Sequence, residues 1–323
     1  AAPPSTLPQP GEPLQLAPKP EHIRVHGERL VVEIERGTGR LTNLEWNGVR
    51  LLEAGPRLNA WRAATDNDGF KWRPDEPGKL LTRWLQAGLD RLEHRLESLD
   101  VQQPEPGRVV VRAVRMVQAP GMAAGFRQTT TTTIVGDGAV RFDEAIACFG
   151  ELPPLPRLGL ALVAPAGFET FTWLGRGPEE SYPDRKAGVA IGLYTGSVDD
   201  QHVPYVVPQE NGNKTDVRWA ALQDAQGRGL MLIGEPLLQV SVSHYTTDDL
   251  FRALHTTDLV RRPEIQVNLD LLQCGLGGNS CGPATLDRHL VWPGEYRFAV
   301  VLRPIDPGAG LPALGRAWVG SSE

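Results

Sequence analysis

Glu179 and Glu180 stand side by side in WLGRGPEESYPDRKAG (173–188), with Arg176, Tyr182, Asp184 and Arg185 along the same stretch. Two carboxyl groups a few ångströms apart are what acid–base hydrolysis needs, one giving a proton while the other attacks or activates water. Adjacent residues in a proline-containing loop point in different directions, however, so on spacing alone this pair reads as solvated surface. A second polar stretch, PYVVPQENGNKTDVRW (204–219), sets Gln209 and Glu210 ahead of an Asn211-Gly212-Asn213 turn. In a third, ATDNDGFKW (64–72), Asp66 and Asp68 flank Asn67. That spacing resembles the start of a calcium loop, but the further oxygen ligands are missing and an Asx-type turn is the better reading.

The most glycine-rich stretch is CGLGGNSCGP (274–283), with four glycines and two cysteines. A phosphate cradle needs such a loop to run into a helix N-terminus, usually with a Lys-Ser/Thr pair, and neither follows here. Zinc would require distant histidines to join Cys274 and Cys281; the seven histidines form no HExxH pattern, and the one HxxxH spacing, His22–His26, is far from both cysteines in the chain. What remains is a tight turn whose backbone must pass close to its neighbours.

The elements that position these loops read as strands. In LVVEIERG, Val32 and Ile34 alternate with Glu33 and Glu35; in QVNLDL, Val267, Leu269 and Leu271 alternate with Gln266, Asn268 and Asp270; GEYRFAVVLRP repeats the pattern with Tyr296, Phe298, Val300 and Leu302. VVVRAVRMV, the threonine run ending at Ile134, AVRFDEAIACF, GLALVAP and GLMLIGE add β-branched runs, and Gly-Asp-Gly (136–138) predicts a hairpin. Helical spacing is confined to GKLLTRWLQAGL near 78–89 and to TTDDLFRALH (246–255), where Thr247 is the expected N-cap. The reading is an all-β chain built as an antiparallel sandwich, with no internal repeat: a proline-rich tether over 1–21, one large domain over 22–305 and a tail over 306–323.

With 33 basic and 39 acidic residues and a net charge of −6, the chain has no basic stripe for nucleic acid, and no apolar run is long enough to span a bilayer. Three cysteines without a CxxC pair fit a reducing, cytoplasmic setting, in which Cys148 is the expected buried thiol and Cys281 the accessible one. A first residue of Ala implies a fragment or a processed product.

The three polar loops, in this order and followed by GLGGNSCGP, resemble the C-terminal domain of bacterial β-galactosidases of glycoside hydrolase family 2, the segment called domain 5 or the small chain. RLTNLEWNGVRLL, RAATDND, VNLDLLQCGLGGNSCGP and GEYRFAVVL carry the resemblance from His22 to Pro304. It implies a large antiparallel β super-sandwich of the galactose mutarotase type, tethered to a preceding domain. It also implies that the catalytic glutamates lie elsewhere, at the mouth of a (β/α)8 barrel of roughly 250 residues that is absent here. The fragment alone is then inactive, and its loops form the rim of the galactoside site. The rim candidates are Asp66, Asn67, Asp68 and Trp72; Arg176, Glu179, Tyr182, Asp184 and Arg185; Gln209, Glu210 and Asn211; and Gly277, Gly278, Asn279 and Cys281.

The family's tryptophan near Cys281 is missing, which makes the loop containing Phe70, Lys71 and Trp72 the expected replacement for its apolar surface. The resemblance implies magnesium and sodium in the intact enzyme, bound outside this segment, with no metal here. The remaining polypeptide or a large subunit would be the partner, in a homo-oligomer. Two other readings are a stand-alone carbohydrate-binding module and an aldose-1-epimerase activity in which His202 or His244 works with Glu210.

Overall fold

Alternating side chains fold the chain into seventeen strands, all paired antiparallel, in a computed structural model that describes residues 11–319. The first five are β1 (Gln15–Pro18), β2 (His22–His26), β3 (Leu30–Glu35), β4 (Leu41–Trp46) and β5 (Val49–Leu52), which form one sheet in chain order. In β3 the expected period holds: Leu30, Val32 and Ile34 are buried and their neighbours are not. The sheet starts inside the segment expected to be a tether, because Gln15–Pro18 pairs with Ile23–His26; the remainder of that expectation, residues 1–10, lies outside the described residues.

The second sheet holds the other twelve strands. They are β6 (Ala54–Asn59), β7 (Glu93–Glu105), β8 (Arg108–Gln118), β9 (Gly125–Val135), β10 (Val140–Phe149), β11 (Arg157–Ala164), β12 (Thr170–Gly177), β13 (Ala190–Ser197), β14 (Lys214–Gln223), β15 (Gly229–Ser243), β16 (Ile265–Gln273) and β17 (Glu295–Ile305). The main path runs β13-β12-β14-β15-β17-β10-β9-β8-β7. β15 forks it: Gly229–Glu235 pairs with β17, whereas Gln239–Ser243 pairs with β16, which continues to β11 and β6. Pro236 lies at the fork, and a proline lacks the N–H that would continue the ladder. The Gly-Asp-Gly hairpin joins β9 to β10 as expected, with Gly138 at φ 93°.

The small sheet packs on the large one around a single apolar cluster that includes Val25, Val32, Leu44, Val109, Phe142 and Leu302. β17 is covered on both faces, since Val301 and Ile305 belong to a second cluster with Trp219 and Met231. That face is capped by a helix within the expected tail, α3 (Leu311–Val319), whose Leu311 and Leu314 pack there. A Cβ on Gly315 would lie 2.3 Å from Trp219, so only glycine allows this approach.

Two other helices, α1 (Leu80–Gln86) and α2 (Thr247–Arg252), fall where predicted, but α2 is capped one residue earlier than expected. Thr246, not Thr247, accepts from the Asp249 amide, and Asp249 returns the bond to complete a capping box. Two burial expectations also fail. Leu271 is only half-buried while Asp270 is fully buried, and Cys148 is half-buried while Cys274 is the enclosed thiol. No helix among the described residues is long and apolar enough to cross a membrane.

Glu144 of β10 lies in the interior, accepting from Gln128 Nε2 at 2.9 Å and from Thr130 Oγ1 at 3.0 Å. Burial pushes its pKa up to about 7, against the pull of those hydrogen bonds. The folded state therefore holds this proton above the pH at which the unfolded chain releases it. The associated stability is complete at low pH and is lost as pH rises through about 7. Glu144→Gln is expected to shrink the fall in unfolding free energy between pH 5 and pH 8 by about 2 kcal/mol. Urea denaturation at the two pH values measures it, and an unchanged difference would contradict the assignment.

Candidate functional site

The loop between β16 and β17 begins where the sheet ends, and charged side chains from three distant segments hold it. Arg62, 0% exposed, donates from Nη1 to the Cys274 carbonyl at 2.5 Å and from Nη2 to the Gly275 carbonyl at 3.2 Å. Asp68 pairs with the same guanidinium, at 3.1 Å from Nε and 2.6 Å from Nη2, and also accepts from the Thr65 amide at 2.9 Å. Burial alone would lower the Arg62 pKa, but the charge and hydrogen bonds of Asp68 together with Cys274 and Glu210 outweigh it and hold the guanidinium charged. The turn expected at Asp66–Asp68 is present, but Thr65 and Asp68 close it by bonding each other's backbone amides in place of an Asx-type bond, and Asp68 also anchors an arginine.

Asn67 faces the loop. Its Nδ2 donates to the Gly277 carbonyl at 2.9 Å, and its Oδ1 accepts from the Ser280 amide at 3.0 Å. Asp184 grips the other side, accepting from the Leu276 and Gly277 amides at 2.9 and 2.7 Å. Lys79, just before α1, donates to the Asn279 carbonyl. Glycine is required at Gly277, which has φ +64°; a Cβ there would also meet Thr285 Oγ1 at 2.3 Å. The loop reverses through Gly282 N to Gly278 O at 2.7 Å, which leaves Cys281 exposed.

Glu210 lies beneath this assembly and accepts from Arg157 Nη2 at 2.7 Å and Gln273 Nε2 at 3.1 Å. Arg157 Nε also lies 3.4 Å from the buried Asp270 carboxylate, whose pKa is raised by burial. Gln209 Oε1 accepts from the Asp66 amide at 3.2 Å and so ties the second polar loop to the third. Tyr182 is buried and its hydroxyl has no partner; burial raises its pKa well above the usual phenol value.

Other sequence candidates serve elsewhere. Arg176 binds Asp216 at 2.5 Å and the Lys186 and Val189 carbonyls, which secures the β12–β13 connection. Asn211 closes its own turn by accepting from the Val203 amide at 3.0 Å. Arg185 pairs with Glu180, which also takes the Gly212 amide at 2.7 Å. Glu179 is exposed and makes no hydrogen bond among the described residues. The adjacent glutamates therefore do not act as a pair. Trp72 is 50% exposed and stacks on Phe70 with ring centroids 4.9 Å apart, an aromatic surface at the end of the 64–72 loop. Lys71 beneath it donates to the Pro208 and Leu250 carbonyls, and burial lowers its pKa to about 8.

Sequence reading missed Arg62, Lys79, Arg157, Asp270 and Gln273. A signal existed for the arginines, each of which interrupts an apolar stretch (LNAWRAA and PLPRLGLAL) where a charge needs a buried partner. The histidines proposed as epimerase acids do not reach Glu210. His244 Nδ1 and Nε2 bond the Arg262 carbonyl and Glu169, both at 2.9 Å, and His202 lies against Tyr245. Glu169, Asp199 and His244 are grouped closely enough to hold a metal ion, but Arg261 already bonds to all three.

Comparison with known proteins places residues 26–302 within the family model described as beta galactosidase small chain. The chain is 33% identical over 258 residues to a beta-galactosidase of Priestia megaterium, covering 80% of this chain and 24% of that protein. It is 31% identical over 286 residues to a beta-galactosidase of Vibrio cholerae, covering 88% of this chain and 27% of the relative. It thus spans about a quarter of the length of such relatives. Among solved structures, a galactose 1-epimerase from Lactobacillus acidophilus aligns over 92% of this chain and 98% of its own, with 8% identity and a TM-score of 0.46. An aldose epimerase homologue from C. elegans aligns over 88% and 98%, with 11% identity and the same TM-score of 0.46.

Two outcomes follow from this geometry. Asn67→Ala is expected to speed amide exchange in residues 275–282 while lowering stability by only about 1 kcal/mol, whereas Arg62→Met, which leaves Asp68 buried and unpaired, costs about 3–5 kcal/mol. Hydrogen exchange and urea denaturation separate the two, and equal costs would contradict the roles assigned. A thiol reagent should modify Cys281 first, Cys148 more slowly, and Cys274 only on unfolding, since burial pushes the Cys274 pKa up to about 12. Early labelling of Cys274 would show that the loop is not held closed.

Proposed function

Since the chain belongs to the β-galactosidase small-chain family, we propose that it is a non-catalytic module of a β-galactosidase, contributing a rim to a galactoside site whose cutting residues lie in another part of the enzyme. The observation that carries this reading is the fixing of the 274–282 loop by Arg62, Asn67 and Asp184. Such a loop offers a rigid edge and no carboxylate. Glu180 and Glu210 are committed to internal partners and Glu179 is exposed by itself, so no two of these glutamates are placed as acid and nucleophile.

In the intact enzyme Trp72 and Phe70 provide the apolar face for sugar that Cys281 cannot, because a thiol lacks the area and the π-face of an indole. Magnesium and sodium are held by other segments. The partner is the remainder of the β-galactosidase, in a homo-oligomer.

The purified chain is expected to leave a chromogenic galactoside unhydrolysed. In the intact enzyme Trp72→Ala is expected to raise KM about threefold to tenfold with kcat nearly unchanged, as for loss of binding shared by ground and transition states. Turnover by the isolated chain that survives repurification and disappears with Glu179→Gln or Glu210→Gln would overturn the proposal.

A further inference from the structure

The fork at β15 produces a second concave surface. On one face of the β6-β11-β16-β15 sheet, Leu58, Leu160, Leu162, Val267, Leu269 and Val240 are buried in the core. The opposite face is polar. Ala161 pairs with Arg57 on one side and Asn268 on the other, and Asn268 pairs with Ser241, so these four share one rung. Gly159 occupies the next rung of the same face, beside Asn59. With alanine on the middle strand and longer side chains on both flanks, the face is recessed at Ala161.

In an ordinary antiparallel sheet the polar face meets open solvent. Here α2, Trp61 and His94 of β7 line an open cleft of about 520 Å³ over it, within the roughly 300–1,000 Å³ of small-molecule sites. Its floor is organised: Asn59 Nδ2 donates to Asn268 Oδ1 at 3.0 Å, and Asn268 Nδ2 donates to Ser241 Oγ at 3.1 Å. Other polar groups around it are unspent. Arg57 pairs with no carboxylate and Gln266 makes no side-chain hydrogen bond among the described residues. Trp61 Nε1 and His94 Nδ1 are both buried without a partner, and the Trp61 residue is only 7% exposed.

Most of the charges at the rim are neutralised within the protein. Asp90 pairs with Arg91, Asp248 with Arg252 and Asp249 with Arg262, so Arg57 is the one lining cation without a carboxylate among the described residues. Burial, reinforced by Arg40, Arg57 and Arg115, lowers the His94 pKa to about 3, which leaves a neutral imidazole that can give or take a hydroxyl hydrogen bond. Amides, hydroxyls, a neutral imidazole and two aromatic residues, Trp61 and Tyr245, match a molecule with many hydroxyls and one apolar face.

We propose that this trough binds a neutral saccharide of one or two pyranose units, seated on the Asn59–Asn268–Ser241 row with Arg57 and Gln266 at its sides. It is a separate place from the 274–282 loop: of the groups described above for that loop, only Glu210 also lines the trough, and its carboxylate is turned to Arg157.

The test is a titration of the full chain with galactose and with lactose, followed by calorimetry and by amide chemical shifts. Saturable binding in the millimolar range is expected, weakened at least about tenfold by Gln266→Ala and by Arg57→Ala, which corresponds to about 1.4 kcal/mol. Neither side chain makes an internal hydrogen bond, so both variants should melt as the parent does. Asn67→Ala, which loosens the other loop, should leave this binding unchanged. The proposal is overturned if neither sugar binds saturably, if binding ignores both trough variants, or if Asn67→Ala abolishes it. Binding of galacturonate with neutral sugars silent would make the trough an anion site and equally reject the assignment.

Discussion

Buried charge must be paired, and in this protein the pairing determines where the polar loops can be. Arg62 and Arg157 are both fully enclosed, and their partners are five residues from three stretches of the chain: Asp68, Glu210, and Asp270 with the Cys274 and Gly275 carbonyls. An isolated guanidinium in such surroundings would cost several kcal/mol, and removing one member of a buried pair typically costs about 3–5 kcal/mol. The loops at 64–72, 204–213 and 274–282 are consequently held to one another by the charges beneath them, with few direct contacts needed at the surface. The fold supplies the frame, and the ionic cluster sets the loops on it.

The forked sheet gives that cluster its location. Because β15 serves β17 with its first half and β16 with its second, β16, β11 and β6 leave the main sheet as a separate wing. The end of β16 delivers Asp270, Gln273 and Cys274 under the glycine-rich loop, while the polar face of the same wing forms the trough. One topological feature thus serves two surfaces. Glu210, which binds Arg157 beneath the loop and also lines the trough, joins them.

Membership in the β-galactosidase small-chain family agrees with a chain whose chemistry-bearing residues mostly position backbone. Asn67, Asp68 and Asp184 look, by type and spacing, like ligands or acid–base groups, yet each spends its oxygens on main-chain amides or on Arg62. Carboxylates that accept two or more internal hydrogen bonds make rigid supports.

The sequence by itself determined the class of fold and most of its strands, because the two-residue period of segments such as Leu30–Glu35 has one physical solution, a sheet with one apolar face. It also located the glycine-rich loop and the polar loops, since turn residues and dense polar groups are local properties. The identity of what covers each face was not local. Asp270 occupies a polar position of its strand's alternation, yet it is buried because Arg157 comes from another strand to meet it. Val301 and Ile305 are buried because α3 returns across them. The arginines, the cover of α3 and the recess over Ala161 depend on contacts between segments far apart in the chain. Periodicity tells which side a residue takes, and only the folded arrangement decides what it meets there.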